Sequence, residues 1–417
     1  MGFGKHGWGI IAYTFVCMMS NGLIHTNGIN VLIPLLESER GWSSAMLLGL
    51  DTAAGIVGVF FSFLIGRMII RWGCRRVATV SLLAGGVVVI LFGQVNSVAG
   101  FFVCMTLLFC ATDAFGQMVP FTLNASWFSR KKGRALGIAT AGYPVCAVIA
   151  VPLLLWSFAT LGFQGSFLAI GCFYIALGIV TAFVVRDRPE DVGAHLDNDP
   201  TCIIVENAPT GSAPTANALI HDKNMWAIAL SMGFVWASTI GLVSQLVPSL
   251  MNVGFSQNDA TRVLQATSLC GIAGSFLFGW IDDRFGTRRA SITLCVVYVF
   301  VFAVMATIVE NAIALALVVV MGGVGSGAVC NLLPSFVATM YGREGFASAN
   351  ALVSPIASIV RCMNFSILGA GLAIGGSYRV GYAIFGVLCF VALLLVIRTK
   401  PTEKALSRVE RQAIEIE

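Results

Sequence analysis

The chain has 417 residues, of which 57% are hydrophobic and 11% charged, with a mean hydropathy of +0.88 and a net charge of +5. A water-soluble domain carries about 25% charged residues, so a chain this apolar is solvated by lipid. Its small positive balance resides in loops and does not describe a nucleic-acid-binding surface.

Apolar stretches of at least about 18 residues, the length of a helix that crosses a bilayer, recur along the whole chain. In the first half the predicted spans are 8–36, 43–70, 75–96, 99–128, 133–161 and 163–185. In the second they are 225–253, 257–281, 288–310, 312–341, 345–374 and 377–397. The intervening segment 186–223 is rich in acidic residues, Pro, Ser and Thr and is predicted to be a mobile linker. The expected organisation is a six-helix bundle over 1–185, a cytoplasmic linker over 186–223, a second six-helix bundle over 224–397 and a cytoplasmic tail over 398–417. The fold class is therefore all-α, a polytopic membrane protein in two pseudo-symmetric halves.

An even number of spans leaves both termini on one side of the bilayer. Of the 25 Lys and Arg residues, 21 fall on that side, against Arg40, Arg262 and Arg379 on the other. The positive-inside rule then makes both termini and the linker cytoplasmic, in a cytoplasmic or plasma membrane. The first span is expected to direct insertion without a cleaved signal. The 12 cysteines scatter through the spans, and no disulfide framework or metal-ligand spacing is expected from them.

Two loops carry the same pattern. Gly66, Arg67, Arg71, Gly73, Arg75 and Arg76 after the second span are matched at an offset of 213 residues by Gly279, Trp280, Arg284, Gly286, Arg288 and Arg289 after the eighth. Asp283 of the second copy corresponds to Ile70 of the first. Matched spacing in both halves points to parallel internal repeats; the glycines allow a tight turn and the arginines sit at the headgroups. This signature resembles that of the major facilitator superfamily, which implies a twelve-helix transporter fold with gating residues at Asp283, Arg284, Arg288, Arg71 and Arg75. The segment from Trp127 and Phe128 through Lys131, Gly133, Ala135, Gly137 and Ala141 to Gly142 and Tyr143 is similar to one in the oxalate:formate antiporter and monocarboxylate porter group. That group moves small organic anions. In the fold resembled, helices one, four, seven and ten line the cavity, and five, eight and eleven contribute to it.

A charge near the bilayer centre costs roughly 2.5–3.5 kcal/mol on insertion scales, so His25, Asp51, Asp113 and Arg361 each need a cavity or a partner. Arg361 lies about 24 Å into its span at 1.5 Å per residue. Its guanidinium is always charged and presents paired donors that match a carboxylate. It is either the anion site or half of a structural ion pair, for which Asp51 is the candidate partner and a possible latch between the halves. Asp113, with Gln117 one turn on, is a candidate proton carrier or a hydrogen-bonded structural carboxyl. His25, beside Asn21, Asn27 and Asn30, titrates near neutrality and is open to the same two readings. Tyr143, Gln117, Asn331, Asn364 and Gln245 are candidate substrate hydrogen-bonders, and each can equally serve as interhelical glue.

The leading expectation is a secondary transporter of small mono- or dicarboxylate anions working by alternating access, coupled to protons or exchanging anions. Its expected partners are the carboxylate, protons and lipid, with no nucleic acid, no cofactor, no metal and a monomer as the working unit. The alternatives are the same fold with a drug, sugar or other metabolite as cargo, or a membrane sensor that binds without moving its ligand. An enzyme is not expected, since no nucleophile with its base, metal cluster or phosphate-binding glycine loop stands in the sequence.

Overall fold

The computed structural model describes residues 3–23, 28, 32, 35–36, 40–42, 44–199, 216–307, 311–364, 366–368, 371 and 378–399. Among them there is no strand. The first half contributes α1 (Gly4–Gly22), α2 (Ser44–Trp72), α3 (Cys74–Phe92), α4 (Val98–Trp127), α5 (132–161) and α6 (163–184). The second contributes α7 (Lys223–Asn252), α8 (Gln257–Phe285), α9 (Thr287–Thr307), α10 (312–341), α11 (343–361) and α12 (Arg379–Arg398). Helices α5 and α6 form one continuous apolar stretch of 53 residues that turns back at Gly162, whose φ of 69° is open to glycine at little cost. Gly342, at φ 67°, makes the equivalent one-residue turn between α10 and α11. With these turns the chain crosses the membrane twelve times, as the hydropathy pattern predicts.

The helix boundaries follow from local chemistry. Ser97 accepts a hydrogen bond from the Gly100 N–H, Asp222 from the Asn224 N–H and Ser256 from the Asp259 N–H, capping α4, α7 and α8. The repeat seen in the sequence is a repeat of backbone: Gly73 (φ 83°, ψ 164°) and Gly286 (φ 86°, ψ 150°) turn the chain alike between α2 and α3 and between α8 and α9. Arg75 then donates to the Ala182 carbonyl at the end of α6. Arg288, at the matching position, donates to the Val396 and Ile397 carbonyls at the end of α12. Cations at helix C-termini satisfy carbonyls that have no partner in their own helix.

Each half has its own apolar core. Phe92, Phe101 and Phe167 cluster in the first, and Phe302, Tyr382 and Phe385 in the second. Helices α3 and α6 approach until a Cβ on Gly171 would lie 2.6 Å from the Gly86 carbonyl oxygen, the backbone contact that small residues permit in membranes. Large side chains such as Phe60, Trp156, Phe183 and Val387 stay exposed on the outer surface, where lipid and not water meets them.

The halves meet along two seams. In one, α2 lies on α11, with Gly66 against Ala351. In the other, α5 lies on α8: Gly133 meets the Gly279 backbone, Gly137 meets Ser275, and farther along Gly271 meets Pro144. Both seams run inward from the end of the bundle that carries the basic loops.

The first part of the linker, residues 186–199, departs from the mobility expected of its composition. Residues 186–199 are docked on that basic end. The Trp127 indole N–H donates to the Arg186 carbonyl at 3.0 Å, and Asp187 accepts from the Arg75 N–H at 2.7 Å at the start of α3. Its acids find unpartnered N–H groups of helix starts, a pairing that composition alone does not register.

Candidate functional site

Arg361 closes the helical part of α11 at the interior of the bundle. Its guanidinium carbon lies 4.6 Å from the ring centroid of Trp236 on α7, a cation–π contact. Among the described residues it makes no ion pair and no side-chain hydrogen bond. Asp113, Tyr143 and Cys330 lie within its electrostatic reach, drawn from α4, α5 and α10. Asp113 accepts a 2.5 Å hydrogen bond from the Ser62 hydroxyl of α2. Directly after Asp113 the helix widens into a π-helical turn over Ala114–Met118, a distortion frequent at functional sites. That turn frees the Gly116 carbonyl to accept the Tyr143 hydroxyl at 3.1 Å.

The structure therefore brings Arg361, Asp113 and Tyr143 together, with Gln117 one turn from Asp113 and its amide nitrogen buried without a partner. Asp51 is not part of this group: no Asp51–Arg361 ion pair forms, and the Asp51 Oδ1 atom is buried with no hydrogen bond. Asn331 donates to the Ser275 carbonyl at 3.1 Å, packing α10 on α8, while its Oδ1 has no partner. Asn364 donates to the Arg361 carbonyl at 2.8 Å, and Gln245 accepts from the Tyr378 hydroxyl at 3.4 Å. His25 lies outside the described residues. Ser62 and Cys330 are not singled out by sequence reasoning, because an ordinary Ser or Cys in a span carries no signal until the helices are packed; Trp236 is a weak polar candidate in the sequence, and its stacking on Arg361 emerges only from packing. An apolar cavity lined by Leu32, Phe92, Met105 and Phe167 lies within the first half and holds none of these groups.

The gating candidates divide. Asp283 crosses the α5–α8 seam, accepting from the Gly133 N–H at 2.7 Å and the Arg134 N–H at 3.0 Å, with the Arg134 Nε at 3.1 Å. It is a carboxylate cap supplied to the start of α5 by the other half. Beside it Lys132 reaches the Ser335 carbonyl at 3.3 Å and the Thr339 hydroxyl, and Asp282 takes the Thr287 hydroxyl at 2.5 Å and the Ser335 hydroxyl. Arg75 and Arg288 do not cross a seam; each closes its own half, as described above. Arg284 stacks on Trp280 and Phe285 of its own helix, with centroids at 5.5 and 5.8 Å. Arg71 is exposed.

Comparison with known proteins agrees with this architecture. The family model described as Major Facilitator Superfamily matches residues 10–363 and 266–415. A riboflavin transporter of Saccharomyces cerevisiae is 24% identical over 401 residues, covering 89% of this chain and 74% of its own. Monocarboxylate transporter 2 of Rattus norvegicus is 20% identical over 408 residues, covering 92% and 81%. Among solved structures, the transporter FucP in its outward conformation aligns over 93% of this chain and 99% of its own, with a TM-score of 0.69 at 13% identity.

Proposed function

Because the chain belongs to the Major Facilitator Superfamily and is a multi-pass membrane transporter, not an enzyme, we propose that its cargo is a small organic anion held at Arg361. One observation carries this reading: a permanent cation sits in the bundle interior with an aromatic ring beneath it and, among the described residues, no carboxylate within ion-pair distance, Asp113 being the acid within its field. Such a charge costs roughly 2.5–3.5 kcal/mol to place in a bilayer. Where no protein carboxylate offsets that cost, a substrate carboxylate can. The cation–π contact fixes one face of the guanidinium and leaves its edge, with the paired N–H donors, for a planar anion. Similarity to a protein named as a monocarboxylate transporter supports the same class.

Asp113 is the proton carrier in this mechanism. It is hydrogen-bonded to Ser62 and lies within the field of Arg361, so an anion arriving at the guanidinium changes the charge that Asp113 meets and couples its proton to the cargo. In this reading Tyr143 and Gln117 orient the substrate, and Asn331, Asn364 and Gln245 are further candidate hydrogen-bonders.

Both termini are cytoplasmic in this reading, from the basic loops. The two seams then close the cytoplasmic side. Opening of that side separates Asp283 from the start of α5. Asp51, unpaired here, is the partner for Arg361 once the outer vestibule closes and the anion has left.

The test is counterflow in proteoliposomes with labelled mono- and dicarboxylates, with and without a pH gradient. Carboxylate flux that vanishes in Arg361→Gln supports the anion reading, and flux indifferent to that change overturns it. Asp113→Asn is expected to keep exchange and lose the response to the gradient. A second reading, an uncharged heteroaromatic cargo, draws on the similarity to a riboflavin transporter. Riboflavin therefore belongs in the panel, and flux of it that survives Arg361→Gln would favour that reading. If Asp51→Asn leaves the ratio of inward to outward forms unchanged, Asp51 has no part in closure.

A further inference from the structure

Asp197 stands in the docked part of the linker, 1% exposed, at φ 57° in the left-handed region that a non-glycine residue adopts only when its surroundings hold it there. Its carboxylate accepts from three successive backbone N–H groups, those of Ser129 at 3.1 Å, Arg130 at 2.8 Å and Lys131 at 3.1 Å. Its carbonyl accepts from the Lys131 ammonium at 2.9 Å. Successive N–H groups converging on one anion form a nest, and charge-assisted bonds of this kind are the strong ones. Two residues farther on, the N–H groups of Gly133 and Arg134 meet Asp283. One turn, 129–134, is thus held by two carboxylates, the first from the linker of its own half and the second from α8 of the other half.

We propose that Asp197 is a positioning residue of the seam: it sets the turn so that the Gly133 and Arg134 N–H groups point together at Asp283, and so ties the linker to the closing of the cytoplasmic side. The geometry explains why a buried, left-handed aspartate is kept in a segment otherwise fit for disorder. A carboxylate cap is effective only when the N–H groups it receives are already aligned. Nothing within the α5 start does this, because its N-cap residue Lys131 makes no side-chain cap. The inference rests on the gating part of the proposed function and is independent of which cargo is carried.

Amide hydrogen exchange on the full chain in lipid nanodiscs tests it, with no substrate required. In Asp197→Ala, exchange at 129–131 should accelerate, and exchange at 133–134 should accelerate about tenfold, the size of a lost helix cap. In an Asp283→Ala background the second effect should disappear, because the cap it works through is already gone. A purely local staple predicts faster exchange at 129–131 with 133–134 unchanged, or effects that simply add in the double variant; either result overturns the proposal, as does protection unchanged throughout. Residues 290–305 of α9 serve as the internal measure of global folding. Should the alanine variant fail to fold by that measure, Asp197→Asn, which retains one acceptor oxygen, enters the same comparison with the same outcomes. Counterflow read on the same variants would separate this inference from the cargo reading, since a failed carboxylate panel leaves the exchange pattern unaffected.

Discussion

The two seams between the halves occupy equivalent places in the internal repeat, yet they are built differently. Gly66 of α2 and Gly279 of α8 match at an offset of 213 residues, and each is a point where its helix touches the other half. Four residues on, the α8 copy has Asp283, whose side chain is 4% exposed and caps α5. The α2 copy has Ile70, 51% exposed and capping nothing. One seam is therefore shape and charge, and the other is shape alone. If the seams act as the proposed gate, the α5–α8 side is expected to govern its lifetime, while the α2–α11 side only has to fit.

That contrast can be broken or sharpened by substitution. The largest effect is expected from Gly279→Val, because even a Cβ there would come within 2.4 Å of the Gly133 carbonyl oxygen. Overpacking of about 1–3 kcal/mol would shift the population away from the closed seam by roughly 5- to 150-fold, read as the ratio of outward to inward forms by distance measurement across the cytoplasmic side. Asp283→Asn keeps the shape and removes the charge. A loss of about 1 kcal/mol, the charge–dipole part of the cap, is expected, with faster amide exchange at 133–134. Were Asp283→Asn to leave both unchanged, the difference between the seams would have no energetic meaning. Ile70→Asp should make the seams alike. Protection should appear at the matching amides 346–347 of α11, with a gain near 1 kcal/mol for the closed seam and slower turnover.

The smallest effect concerns Asp187, which caps α3 within one half and crosses no seam. Burial pushes its carboxyl up from its ordinary value, opposed by the Arg75 N–H and guanidinium. A folded value raised above the unfolded one, about 3.9, means a stability contribution fully present below that unfolded value and lost as pH rises through the raised one. Melting temperature should therefore fall across this acidic window in the wild type more than in Asp187→Asn, with no change in the ratio of outward to inward forms at neutral pH.

Much of this was legible in the amino-acid order. The twelve crossings follow from apolar length, and the repeat from glycines and arginines whose spacing a tight headgroup turn requires. Arg361 and Asp113 were conspicuous because a charge deep in an apolar run is expensive wherever it points. What stayed hidden depends on relations between helices. Nothing in sequence separation connects Trp236 with Arg361, or Ser62 with Asp113; only packing of α7 on α11 and of α2 on α4 does so. The docking of 186–199 was hidden for a different reason. Acidic, proline-containing composition signals disorder when no apolar face is present, and it does not reveal that the acids complement the N–H groups of Ser129–Lys131 and Arg75. Likewise the arginines of the repeat read as one gating set, whereas Arg75 and Arg288 bind carbonyls of their own halves and only Asp283 reaches across.

Those two arginines bear on how work is done by the molecule. Each fastens the third helix of its half to the carbonyl end of the sixth, so that the first and last parts of each bundle are joined at the same end where the seams lie. A bundle tied in this way resists being splayed at its base. Work done between the halves of a transporter built in this way is delivered as torque between two stiff levers and is not dissipated in bending either of them.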